Sequence, residues 1–95
     1  MLKAAILALA IVATPAFSTS HYQAQPTVSP AATNFVLRDT MWKCGDAGCV
    51  GTRSNSRPAI VCALLVRSVG TLRNFAEEGR AMSGPELEKC NVRAK

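Results

Sequence analysis

Histidine occurs once in this 95-residue chain, aromatic residues make up 5% of it, and charged residues 18%. Each shortage excludes a class of function. A lone histidine, His21, has no second imidazole for a metal-ligand pair or a triad. It also lies among Pro, Ser, Thr and Gln, where nothing in the sequence would hold it. No Gly-rich phosphate loop, nucleophile elbow or zinc-protease helix is present, so no catalytic residue, metal or cofactor is expected and the chain does not read as an enzyme. Few aromatics deny it a stacking platform for single-stranded nucleic acid. No run of like charge occurs, although the formal net charge is +5. Scattered arginines of that kind solvate a surface or meet an anionic partner.

Long apolar runs are also scarce. The one that occurs, Ala4 to Ala13, follows Lys3 and ends before Pro15, with small residues at Ala16 and Ser18. A basic n-region, an apolar run well short of the ~20 residues a bilayer requires, and a small-x-small site describe an export signal rather than an anchor. Cleavage is expected after Ser18, with Ala16 as the nearer alternative. No lipoprotein cysteine or twin-arginine pair accompanies it. The expected product is periplasmic or secreted, without a membrane span. At under about 80 residues it is too small for burial alone to hold it comfortably.

The four cysteines supply what the small core lacks, provided the compartment is oxidising. Three of them, with the only tryptophan, fall between Met41 and Cys62. Gly45-Asp46-Ala47-Gly48 is a turn signal. If Cys44 faces Cys49 across it, antiparallel register sets Trp42 opposite Gly51 and Thr40 opposite Arg53. Four cysteines allow three connectivities. Cys44 with Cys49 and Cys62 with Cys90 suits local geometry best, and crossed pairings remain open. The loop-entropy relation assigns about 2 kcal/mol to the short loop and about 3 to 4 kcal/mol to the long one. The alternatives to plain staples are a zinc knuckle or a thiol-redox pair at Cys44 and Cys49. Against them, only one close cysteine pair exists, and its spacing is four residues rather than two.

Along the chain, residues 19–33 carry two prolines and no charge and read as a disordered leader. A domain over residues 34–95 follows. Phe35, Val36, Leu37, Thr40, Met41 and Trp42 favour a half-buried strand that runs into the hairpin. Ser54-Asn55-Ser56 offers an N-cap and Pro58 a first turn, so a helix is expected from Arg57 to about Val69, with Val61, Leu65 and Val69 inward, Cys62 and Val66 beside them, and Gly70 as its stop. Thr71 to Ala76 reads as a further strand, Glu77-Glu78-Gly79 as its turn, and Arg80-Ala81-Met82 as a short return. Adjacent Glu77 and Glu78 should diverge. Ser83 with Glu86 is a capping box, Met82 with Leu87 a hydrophobic staple, and a last helix is expected from Pro85 to about Arg93. The fold class is thus α+β: a small three-stranded antiparallel sheet, a hairpin plus one strand, packed by two helices and stapled by disulfides.

Trp42-Lys43-Cys44, Cys49, Ser56-Arg57-Pro58, Val61-Cys62-Ala63, Leu65, Arg67, Val69-Gly70, Phe75, Gly79, Leu87 and Cys90-Asn91 together resemble a family of small, uncharacterised exported four-cysteine proteins of alphaproteobacteria. The resemblance implies a Gram-negative source and a periplasmic or secreted location, and carries no activity or ligand with it. The expected role is a noncatalytic binding or accessory protein. Arg53, Arg57 and Arg67 are its candidate contacts with an anionic envelope component or protein.

Overall fold

A computed structural model describes residues 20–94. The expected signal peptide, residues 1–18, lies outside the described residues. The described chain forms strands β1 (Tyr22–Pro26), β2 (Thr33–Leu37), β3 (Thr40–Gly45) and β4 (Gly48–Gly51), helix α1 (Pro58–Val69), strands β5 (Leu72–Glu77) and β6 (Arg80–Ala81), and helix α2 (Gly84–Asn91). The strands make one antiparallel sheet in the order β2-β3-β4-β1-β5-β6. The α+β class holds, but the sheet has six strands rather than three.

Two of the additional strands have identifiable causes. Tyr22–Pro26 falls inside the segment expected to be disordered, yet it sits between β4 and β5 in the middle of the sheet. Its five residues alternate strictly: Tyr22, Ala24 and Pro26 are buried while Gln23 and Gln25 face outward. A period of two that short is hidden by the surrounding Pro, Ser and Thr, but two waiting strand edges make it decisive. Pro26, which lacks an N–H, coincides with a register shift against β5, where the ladder loses nothing. The other cause lies at Arg38 and Asp39, which split the expected Phe35-to-Trp42 strand into a hairpin. Arg38 takes φ 57°. The Asp39 carboxylate then accepts from Ser54 Oγ at 2.7 Å and from the Asn55 N–H at 2.8 Å. These bonds occupy the residues expected to cap α1. Arg57 is the actual N-cap, without a side-chain bond, and Pro58 follows at the first turn.

Residues directly opposite one another share a face. One face therefore carries Phe35, Trp42, Gly51 and Tyr22 across the sheet, with Cys44, Cys49, Ala24 and Phe75 in the next row. The helices cover this face. Val61, Cys62, Leu65 and Val66 of α1 and Cys90 of α2 join it in one core cluster, with Val69, Met82 and Leu87 packed at its margin. Tyr22 lies 6.1 Å from Trp42 and 5.6 Å from Phe75 between ring centroids, an aromatic row worth roughly 0.5 to 1.5 kcal/mol per pair beyond burial. Trp42 does stand opposite Gly51, and a Cβ added there would come within 2.8 Å of the indole. Thr40 does not pair with Arg53: the ladder stops at Gly51, and Thr52 instead receives the Met41 N–H on its hydroxyl at 2.9 Å.

Both disulfides follow the nested pairing. Cys44–Cys49 spans directly opposed residues of β3 and β4, with Cα atoms 4.1 Å apart, and Cys62–Cys90 joins α1 to α2 at 6.0 Å. The second helix begins as the capping box requires, with Ser83 Oγ accepting from the Glu86 N–H at 3.3 Å. It is fastened at its far end by Asn91. Its carboxamide accepts from the Leu72 N–H at 2.8 Å and donates to the Leu72 carbonyl at 3.0 Å.

Candidate functional site

Pro58 to Val66 contains no polar side chain except the disulfide-bonded Cys62, so α1 is apolar all round over its first turns. Such a helix has more apolar surface than one sheet can cover. Val61, Cys62, Leu65 and Val66 enter the core, and the remaining side chains form a second stripe of Ala59, Ile60, Ala63 and Leu64, continued by Arg67. The Cys62–Cys90 bridge holds α2 alongside, and Glu86, Lys89, Cys90 and Arg93 recur at helical spacing as the opposite wall. The result is an open groove of about 530 Å³ between the helices. Its floor is apolar, with Ile60 42% exposed, and its charged residues are three cations against one carboxylate. A rigid apolar trough with a cationic rim suits a ligand that is itself part apolar and part anionic.

Of the three arginines singled out in the sequence, only Arg67 lies in this groove. Arg57 is at the opposite end of α1, ten residues away and so about 15 Å along the axis. Arg53 follows β4 and lines a separate hollow with Ser20, His21, Gln23, Thr52, Glu78 and Gly79. The structure therefore brings Arg67 together with Lys89 and Arg93, and not with Arg53 or Arg57. Lys89 and Arg93 were legible as a pair four residues apart on a helix, but which helix face they would meet depended on the disulfide partner of Cys90.

His21 is held, contrary to expectation. The start of β1 places its Nε2 2.8 Å from Glu77 Oε2, and its Nδ1 lies 3.6 Å from Glu78 Oε2. Glu77 ends β5 on the row that Tyr22 shares, while Glu78 takes φ 50° in the following turn. The turn folds back both carboxylates that extended chain would have sent apart. The imidazole also stands edge-on to Tyr22, 4.6 Å between centroids. Burial, and then the Glu77 charge, push the Tyr22 hydroxyl above the ordinary phenol range. That hydroxyl and the Trp42 indole N–H are buried without hydrogen-bond partners among the described residues. All four cysteine sulfurs are spent in disulfides, and Cys44 and Cys49 are 4% and 1% exposed, which withholds them from a thiol in solution.

The profile of a family of unknown function (DUF8200) matches residues 6–92. The chain belongs to that family. Its match spans both disulfides, both helices and every strand of the sheet. No curated protein and no solved structure matches this DUF8200 member. Among its described residues no helix is long and apolar enough to cross a membrane, and the two disulfides are consistent with an oxidising extracytoplasmic compartment.

Proposed function

We propose that this DUF8200 protein is a noncatalytic binding or accessory protein, periplasmic or secreted, that meets an anionic envelope component or protein through the α1–α2 groove. The observation that carries this reading is the convergence of Arg67, Lys89 and Arg93 on an apolar strip that no part of the described chain covers. The noncatalytic half is supported by chemistry. Every cysteine sulfur is in a disulfide, so none is a free thiolate that could act as a nucleophile. The three-arginine surface expected from the sequence narrows accordingly, with Arg67 in the proposed site and Arg53 and Arg57 outside it.

Co-sedimentation with vesicles of anionic phospholipid, and titration with an acidic polypeptide, test the reading with defined probes. Near an anionic surface each cation contributes about 1 kcal/mol, so replacing Arg67, Lys89 and Arg93 together by alanine should weaken binding on the order of a hundredfold. Replacing Arg53 and Arg57 should change it far less. Binding to neither probe, or equal losses in the two variants, would remove the groove from consideration.

A further inference from the structure

Among the described residues the sheet has two edges, and they are unequal. On one side β6 is only Arg80–Ala81, a short and charged edge of the kind that resists pairing. On the other, β2 runs for five residues, Thr33–Leu37, with no charge, no proline and an unbroken register against β3. Which of its main-chain groups face outward follows from two observations on β3. The Met41 N–H donates to Thr52 Oγ1 at 2.9 Å and the Met41 carbonyl accepts from the Thr52 N–H at 3.1 Å, so the main chain of Met41 points toward β4. Cys44 and Cys49, with Cα atoms 4.1 Å apart, are likewise an opposed pair of the close type that exchanges no bonds. In an antiparallel ladder such pairs alternate with bonded ones. Val36 stands opposite Met41 and Asn34 opposite Lys43, so neither pair exchanges bonds within the sheet. The N–H and C=O groups of Asn34 and Val36 therefore project from the open edge, symmetrically about Phe35.

We propose that β2 is a dimerisation edge, paired antiparallel with β2 of a second copy of this chain about a two-fold axis through Phe35. In that register Asn34 faces Val36 of the second copy, and the reverse, so each pair exchanges two main-chain bonds and every outward group of both residues is satisfied. Phe35, half-buried, meets its equivalent on the helix-covered face. The absence of charge from β2 lets two identical strands approach without repulsion, and the symmetry of the free groups about one residue is what an identical strand fits. Val36 and Met41, 61% and 62% exposed on the face that the described helices leave uncovered, line a shallow apolar hollow of about 420 Å³ with Lys43 and Val50 that runs to this edge. The joined strand extends its wall.

Sedimentation equilibrium on the oxidised protein, at concentrations up to about 1 mM, tests the proposal. The expected result is twice the chain mass at the top of the range, dissociating on dilution. Amide exchange at Asn34 and Val36 should slow with concentration, while that of Phe35, already bonded to β3, should not change. Val36→Pro removes an outward N–H that bonds to nothing inside its own sheet, a position where an edge strand tolerates proline. It should remain a monomer throughout. If that variant fails to fold, Val36→Lys places like charges near the two-fold axis and should weaken association about tenfold or more. A single-chain mass for the unaltered protein across the range would overturn the proposal. So would dimers of the folded variants as tight as the original, or exchange at Asn34 and Val36 that ignores concentration.

Discussion

Gly51 shows how narrowly the core is set at the residue scale. Because the Trp42 indole lies over its Cα, a Cβ would meet three ring carbons at 2.8 to 2.9 Å, and the indole is itself buried in the core. Gly51→Ala should therefore destabilise by about 1 to 3 kcal/mol, as overpacking of a filled core does, and thermal unfolding measures it. Asp39 acts through a different force. The Asn55 N–H, and then the Ser54 hydroxyl, hold its carboxyl below the ordinary value of 3.8, so the folded state favours the charged form. A depressed carboxyl contributes stability above its unfolded pKa and loses it as the pH falls through the folded value. The melting temperatures of the protein and of Asp39→Asn should thus differ above that ordinary value and converge as the pH is lowered past it. A gap that persists at the acid limit would separate the turn's stability from this charge. The Trp42–Gly51 opposition was legible from the turn signal and the cysteine spacing alone. The Asp39 bonds were not, since they join residues 15 and 16 positions apart whose types fit a cap equally well.

Elements were readable in proportion to their length. Helix α1 has twelve residues with a repeating apolar stripe, a proline at its start and Gly70 as its stop, and it lies within a residue of its expected span. Helix α2 was marked by its capping box. Strand β1 has only five residues and no independent stability, so its existence depends on the edges of β4 and β5 that receive it. Composition argues for disorder there, and tertiary pairing overrides it. The clamp between α2 and β5 was also invisible in the sequence, because an asparagine near a helix end is ordinary. Asn91→Ala leaves the Leu72 N–H and C=O without their partner, and each is part-buried. The expected cost is about 1 to 3 kcal/mol, with faster amide exchange at Leu72 as its local signature. Exchange unchanged at Leu72 would show that other groups satisfy it.

For the whole molecule, two covalent loops of unequal length close the fold, with sequence separations of 5 and 28. The longer one restricts the unfolded chain more and also sets the distance between the walls of the groove. Cys90→Ser should accordingly lower the melting temperature more than Cys49→Ser, and it should also weaken binding of the anionic probes, which Cys49→Ser should spare. Equal shifts would contradict the assignment of the main constraint. The sheet carries the same logic without covalent bonds. One side is β2-β3-β4, the other β5-β6, and β1 alone joins them. Helix α2, one wall of the groove, is fastened to β5 by Asn91, so β1 ties that wall to the hairpins on the other side of the sheet. Amide hydrogen exchange of the oxidised protein tests this arrangement most directly. A central β1 requires Gln23, Ala24 and Gln25 to be protected as strongly as Cys49 of β4 and Ala76 of β5. Exchange of those three amides at the rate of unstructured chain would contradict it.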